Sequence, residues 1–143
     1  MRFWDSSALL PLFVRETHSP AVEALVADDP AMIVCWTALV ECGSAVHRLR
    51  REGAFAPAAA AQLLTRLTTA LDAAEVVQPG EELSATALRL LATHPLRAAD
   101  ALQLAAALVW ARGRPDGRHF VCLDERLGTA ALLEGFTVVP SPA

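Results

Sequence analysis

The chain has 143 residues, of which 54% are hydrophobic, with a formal net charge of −4 and a pI near 5.5. That length suits one ordinary domain with a sizeable core, and residues 1–143 are expected to form a single domain. The acidic balance argues against a protein that grips nucleic acid over its whole surface, though not against one that concentrates acids in a metal cleft.

Residues 2–5 read as a short strand running into Asp5, Ser6 and Ser7, with either serine placed to start a helix over 8–14. Ser19 and Pro20 open a second helix through Ala27, Pro suiting the first helical position, and 28–30 form a turn. The apolar, β-branched run 32–36 reads as a buried strand. Thr37 is the expected cap of a helix over 38–51, ended by Gly53. Pro57 starts another helix, in which Leu63, Leu64, Leu67 and Leu71 make one apolar stripe.

Val76 and Val77 suggest a brief strand. Glu81 and Glu82 open a helix to about Thr93, where His94 and Pro95 break it. Residues 96–111 form the most apolar helix, hydrophobic nearly all round and expected to be buried. A polar loop over 112–118 leads to a strand at 119–123, a helix at 125–133 and a last strand at 137–139. Strands alternating with helices imply an α/β fold: a central, mostly parallel sheet of four or five short strands with helices on both faces, three layers in all.

No membrane span is expected, since the longest apolar run near the middle, 104–111, falls far short of the roughly 18–20 residues required. Arg2, Asp5, Arg15 and Glu16 near the start speak against a secretory signal, so the expected location is the cytoplasm. Cys35, Cys42 and Cys122 are odd in number and form no CxxC pair, which supports neither a zinc site nor a disulfide framework. Cys35 and Cys122 lie in apolar strands and read as small core hydrophobes.

The chemistry resides in four carboxylates. In a parallel α/β sheet, sites form at the carboxyl ends of strands, where the following helices begin. Asp5 and Asp124 end strands, and Glu41 lies in the first turn or so of the helix after strand 32–36. Asp100 lies in the early turns of the apolar helix, where an unpaired buried carboxylate needs a cation or arginine nearby. Each has a plain alternative: helix caps for Asp5 and Asp124, a dipole contact for Glu41, and pairing with Arg97 for Asp100. Acids gathered together repel and resist leaving water, so a hard divalent cation is the simplest thing to hold them.

In their order along the chain, four segments resemble the PIN-domain nucleases, in particular the VapC-type toxins of bacterial toxin–antitoxin pairs. They are residues 3–10 around Asp5, the helix carrying Glu41, residues 96–105 around Asp100, and residues 120–127 around Asp124. The resemblance covers essentially the whole chain. It implies that Asp5, Glu41, Asp100 and Asp124 form an acidic metal site for Mg2+, with Mn2+ as substitute, and that Asp5 and Asp100 are direct ligands. It further implies an endoribonuclease with an RNA substrate, a small antitoxin partner and a homodimer. Two departures stand out: Gln103 where relatives often have histidine, and Cys122-Leu123 in place of Thr-Phe. Two other readings remain open: an α/β partner-binding module without catalysis, and a PIN nuclease of RNA processing or DNA repair outside a toxin pair.

The basic residues His47, Arg48, Arg50 and Arg51 continue the Glu41 helix, and Arg112, Arg114, Arg118 and His119 flank a loop. They are candidates for binding RNA phosphates, weighed against the commoner solvated face. The chain has no lysine, which speaks against a phosphoryl-signalling receiver, and Ser7 stands where a DxD phosphatase motif needs its second acid. His18 and His94 carry no assigned role.

Overall fold

Period-two alternation along five short segments sends successive side chains into two different cores. In the computed structural model, which describes residues 1–141, these segments are β1 (Arg2–Trp4), β2 (Met32–Cys35), β3 (Glu75–Val77), β4 (His119–Val121) and β5 (Thr137–Val139). All pairings are parallel, in the order β3-β2-β1-β4-β5. The expectation of a parallel sheet covered on both faces is met; β1, β2 and β4 are one or two residues shorter than read from the sequence, β3 is one longer and β5 is as read.

Phe3, Ile33, Phe120 and Cys122 enter one core, together with α5 (Glu81–Thr93), α6 (Ala98–Trp110) and α7 (Glu125–Glu134). Trp4, Val34 and Val121 enter the other, with α1 (Ser6–Leu9), α2 (Ser19–Asp28), α3 (Ala38–Arg51) and α4 (Pro57–Asp72). Phe3 and Phe120 stack across the β1–β4 pair with ring centroids 5.4 Å apart. All three cysteines are buried free thiols, in keeping with the reading of Cys35 and Cys122 as core residues. Burial pushes Cys42 up to about 12, so its thiol stays protonated.

β1 lies at the centre, with β2 and β3 on one side and β4 and β5 on the other. The helices after β1 and β4 therefore leave toward opposite faces: α1 packs in the Trp4 core and α7 in the Phe120 core. Such a reversal opens a crevice at the carboxyl edge of a parallel sheet. Asp5 and Asp124 are the residues at its two lips.

α1 differs from the expected helix over 8–14. It ends at Leu9 and gives way to a 3₁₀ turn at Leu10–Leu12, because Pro11 has no N–H to continue the ladder. The buried Ser19 hydroxyl then donates to Pro11 O at 2.7 Å and pins the return into α2. α6 starts at Ala98 and is buried as expected, with Leu104, Ala105, Ala106 and Ala107 fully covered and packing against α5 and β2. No helix among the described residues is long and apolar enough to cross a membrane.

His94, unassigned from sequence, is buried and meets Glu134 Oε2 at 2.8 Å, while Arg89 Nη2 donates to Glu134 Oε1 at 2.5 Å. Together they tie α5 to the end of α7. The Arg89 hydrogen bond, assisted by His94, holds the Glu134 carboxyl below its ordinary 4.5 despite partial burial. A depressed carboxyl contributes stability above its unfolded pKa and loses it as pH falls through the folded value. In thermal melts, Glu134→Gln should therefore lower Tm most near neutral pH, with the gap closing below about 4.5. A gap independent of pH would show that the carboxylate charge contributes nothing.

Candidate active site

Asp5 follows the last residue of β1, and its backbone N–H donates to Val121 O at 2.9 Å, so the β1–β4 ladder itself sets its position. It is the N-cap of α1, accepting from Ser7 N at 3.1 Å and from the Ser7 hydroxyl at 2.5 Å. The cap reading is thus correct for Asp5, but a cap is normally solvated and this side chain is only 4% exposed. Burial pushes its carboxyl from 3.8 up to about 6; the bonds from Ser7 pull the other way, and the Glu41 charge adds to the rise.

Ser7 also serves the opposite lip. Its hydroxyl oxygen accepts from Leu123 N at 3.0 Å and from Asp124 N at 3.3 Å. One side chain therefore joins the end of β1 to the end of β4, across the crevice. Asp124 is itself the N-cap of α7, accepting from Leu127 N at 2.8 Å, and is exposed. The Cys122 thiol lies beneath, 3.3 Å from Asp124 O and 3.7 Å from Asp5 Oδ2.

Glu41 sits half-buried in the first turn of α3. Thr37, expected to cap that helix, makes no side-chain cap; its hydroxyl donates to Glu41 Oε1 at 2.7 Å instead. Gln103, fully buried on α6, donates from Nε2 to the same oxygen at 2.9 Å and to Ser6 Oγ at 2.9 Å.

Asp100 is half-buried rather than buried, because the first turn of α6 emerges at the edge of the sheet. It makes no ion pair with Arg97, the alternative raised by the sequence, although the Arg97 charge lies near enough to stabilise the anion slightly. Desolvation first, then repulsion from Asp124 and Glu41, raises its carboxyl above 3.8.

These couplings link Asp5 to Glu41, and Asp100 to both Glu41 and Asp124. Among the described residues, none of the four acids has an ion-pair partner. Nor do any three His, Cys, Asp or Glu side chains form a group that could hold a metal ion. The arrangement is an uncompensated all-oxygen edge rather than a finished cage. Mg2+ is ordinarily held by one or two carboxylates, waters and substrate phosphates, and this donor set fits that habit. The unneutralised burial of Asp5 is what an incoming cation would relieve.

Ser6, Ser7 and Thr37 carry the polar scaffolding of this site, and sequence reasoning treated them only as helix starters. The signal available was the Asp-Ser-Ser run at a strand end, since hydroxyls there bond backbone and carboxylate alike.

The PIN domain profile matches residues 2–110, a span that includes Asp5, Glu41 and Asp100. The chain belongs to the PIN-domain family, a family of nucleases. Its fold is similar to that of PAE2754 from Pyrobaculum aerophilum, with TM-score 0.67 and 20% identity over 96% of this chain and 88% of that one. It is also similar to Mycobacterium tuberculosis VapC20, described as a sarcin–ricin loop cleaving toxin (0.66, 21% identity, 96% and 97% covered). A toxin–antitoxin complex from Klebsiella pneumoniae contains a further similar chain (0.64, 15% identity, 96% and 97% covered). Comparison with curated protein sequences finds no match.

A carboxyl raised to about 6 by burial penalises the charged folded state, so its stabilising contribution is complete below 3.8 and lost as pH rises through about 6. Asp5→Asn should therefore raise the Tm of the metal-free protein near neutral pH, with the gain shrinking as the medium is acidified. Equal melting temperatures at neutral pH would show that Asp5 carries no desolvation penalty.

Proposed function

We propose that this chain is a divalent-metal-dependent endoribonuclease, the toxin of a VapC-type toxin–antitoxin pair, acting in the cytoplasm as one nuclease domain. The observation that carries this reading is the buried Asp5 carboxylate, set without a counter-cation beside Glu41 at the central crevice of a PIN fold. Such a charge is costly unless paired, and a cation plus a phosphodiester is what the crevice lacks.

In this reading Asp5 and Asp100 hold Mg2+, or Mn2+ in its place, and Glu41 and Asp124 complete the site. When bound, the ion supplies neutralising charge at the phosphoryl oxygens and makes a water more acidic. Glu41 or Asp124 would take a proton from the attacking water as its oxygen adds to phosphorus. The bond to the 3′ oxygen would break and that oxygen would take a proton from solvent water, leaving a 3′-hydroxyl and a 5′-phosphate. Ser7 keeps Asp5 and the Asp124 backbone in register throughout, and no side-chain nucleophile is needed.

RNA as substrate and an antitoxin as partner are supported by what VapC20 is described to cleave and by the complex from Klebsiella pneumoniae. An arginine of the antitoxin would pair with the acids and block the crevice. Exposed Val40, Leu88, Leu91, Leu132 and Leu133 supply apolar surface for a homodimer and for that partner. Arg48 and Arg51 are candidates for binding phosphates about 10 and 15 Å along α3 from Glu41. Arg118 lies over the Trp110 ring, 4.8 Å from its centroid, and is less free for that role.

Purified protein incubated with total RNA should cleave with Mg2+ or Mn2+ and stop with EDTA. Asp5→Ala and Asp100→Ala should fall to the level of the EDTA control while keeping the wild-type circular dichroism. Metal-dependent cleavage by clean Asp5→Ala protein would remove the assignment, and a partner-binding module would tolerate Asp100→Asn without loss. Replacing Arg48 and Arg51 should reduce the log–log salt slope of RNA binding by about 0.7 for each phosphate that is no longer neutralised. An unchanged slope would place those residues elsewhere.

A further inference from the structure

We infer that Gln103 is a positioning residue of the acidic site, the joint that fixes Glu41 and the Asp5 turn relative to Asp100. The inference rests on the proposed nuclease function and adds a role for a side chain outside the four acids.

Gln103 is out of character with its surroundings. Its α6 neighbours Leu104, Ala105, Ala106 and Ala107 are apolar and fully buried, and Gln103 is likewise 0% exposed. Its Nε2 group donates to Ser6 Oγ at 2.9 Å and Glu41 Oε1 at 2.9 Å, with Thr37 Oγ1 farther off at 3.4 Å. Its Oε1 is buried with no hydrogen-bond partner. A leucine or methionine would fill similar space without leaving a carbonyl unsatisfied. Turning the amide over would bring that carbonyl against the Glu41 carboxylate, oxygen facing oxygen. The observed orientation is therefore the one that turns a donor toward Glu41 Oε1.

The hydrogen bonds span three elements. Asp100 lies three residues before Gln103 on the same side of α6. Glu41 belongs to α3. Ser6 is the first residue of α1, the helix that Asp5 caps. One buried carboxamide thus ties together the segments that carry Asp5, Glu41 and Asp100. It also divides the work of the Glu41 carboxylate. Oε1 is held by Thr37 and Gln103, whereas Oε2 accepts no hydrogen bond from the described residues. The geometry assigns Oε1 to anchoring and leaves Oε2 for the cation, its water or the transferred proton.

The test is Gln103→Met, which keeps length and volume and removes both N–H donors. Partners that orient ligands typically change metal affinity or activity by about 10- to 100-fold when replaced. Gln103→Met should retain a cooperative melt, weaken Mn2+ binding measured by electron paramagnetic resonance, and lower kcat within that range while KM for RNA changes little. A folded variant with wild-type Mn2+ affinity and kcat would overturn the inference. Should the variant fail to fold, the side-chain amide resonances of Gln103 in the wild-type protein give the answer. Those protons should exchange slowly with water and shift on titration with Mg2+; resonances unmoved at saturating Mg2+ would overturn the inference. Wild-type protein that binds no Mn2+ and cleaves no RNA would instead bring down the nuclease reading on which it rests.

Discussion

A carboxylate without a counter-charge ends the central strand, and the arrangement of the molecule follows from keeping it there. Asp5 cannot swing into water, because its backbone is laddered to β4 and its carboxyl is clamped by Ser7. It cannot be neutralised from within either, since none of the surrounding acids has a cationic partner among the described residues. The fold meets the resulting repulsion with dipoles: the backbone N–H at Ser7, hydroxyls at Ser7 and Thr37, and the amide of Gln103. Neutral donors hold carboxylates in place while leaving their charge available.

That division between holding and neutralising explains why the site belongs where the sheet reverses direction. At the β1–β4 boundary the following helices part toward opposite cores, and the crevice between them brings two helix N-termini to its lips. Both termini are capped by an acid that belongs to the proposed site. In the proposed reading, capping and function share one placement. The cap reading of Asp5 and Asp124 holds, and it leaves room for the proposed metal role, because a capping carboxylate keeps lone pairs to spare.

How much of this was legible depended on how local the cause was. Strand-end acids could be read because each sits just beyond a short apolar run. Asp100 could not be placed that way, since α5 and a turn intervene; its early-turn position in an apolar helix pointed to it, and the family resemblance added to that. Its half-exposure was missed for a related reason, as an apolar stretch in sequence says nothing of which turn of α6 surfaces. Pro11 marked the early end of α1, but the apolar pattern over 8–14 masked it. The long-range part of the polar scaffolding was invisible because its causes are distant: Gln103 meets partners 62 and 97 residues away, and His94 meets Glu134 at a separation of 40. A lone glutamine in an apolar helix marked an oddity without saying what it touches.

The outer strands have a consequence of their own. β3 and β5 are three residues long, and Pro140, which can donate no hydrogen bond, follows β5 directly. Another chain laying itself along either rim would gain too short a ladder to hold on. Any association would therefore proceed through side chains on helices and loops, where complementarity can change by single substitutions. The identity of a companion would then be written in those side chains and not in the backbone.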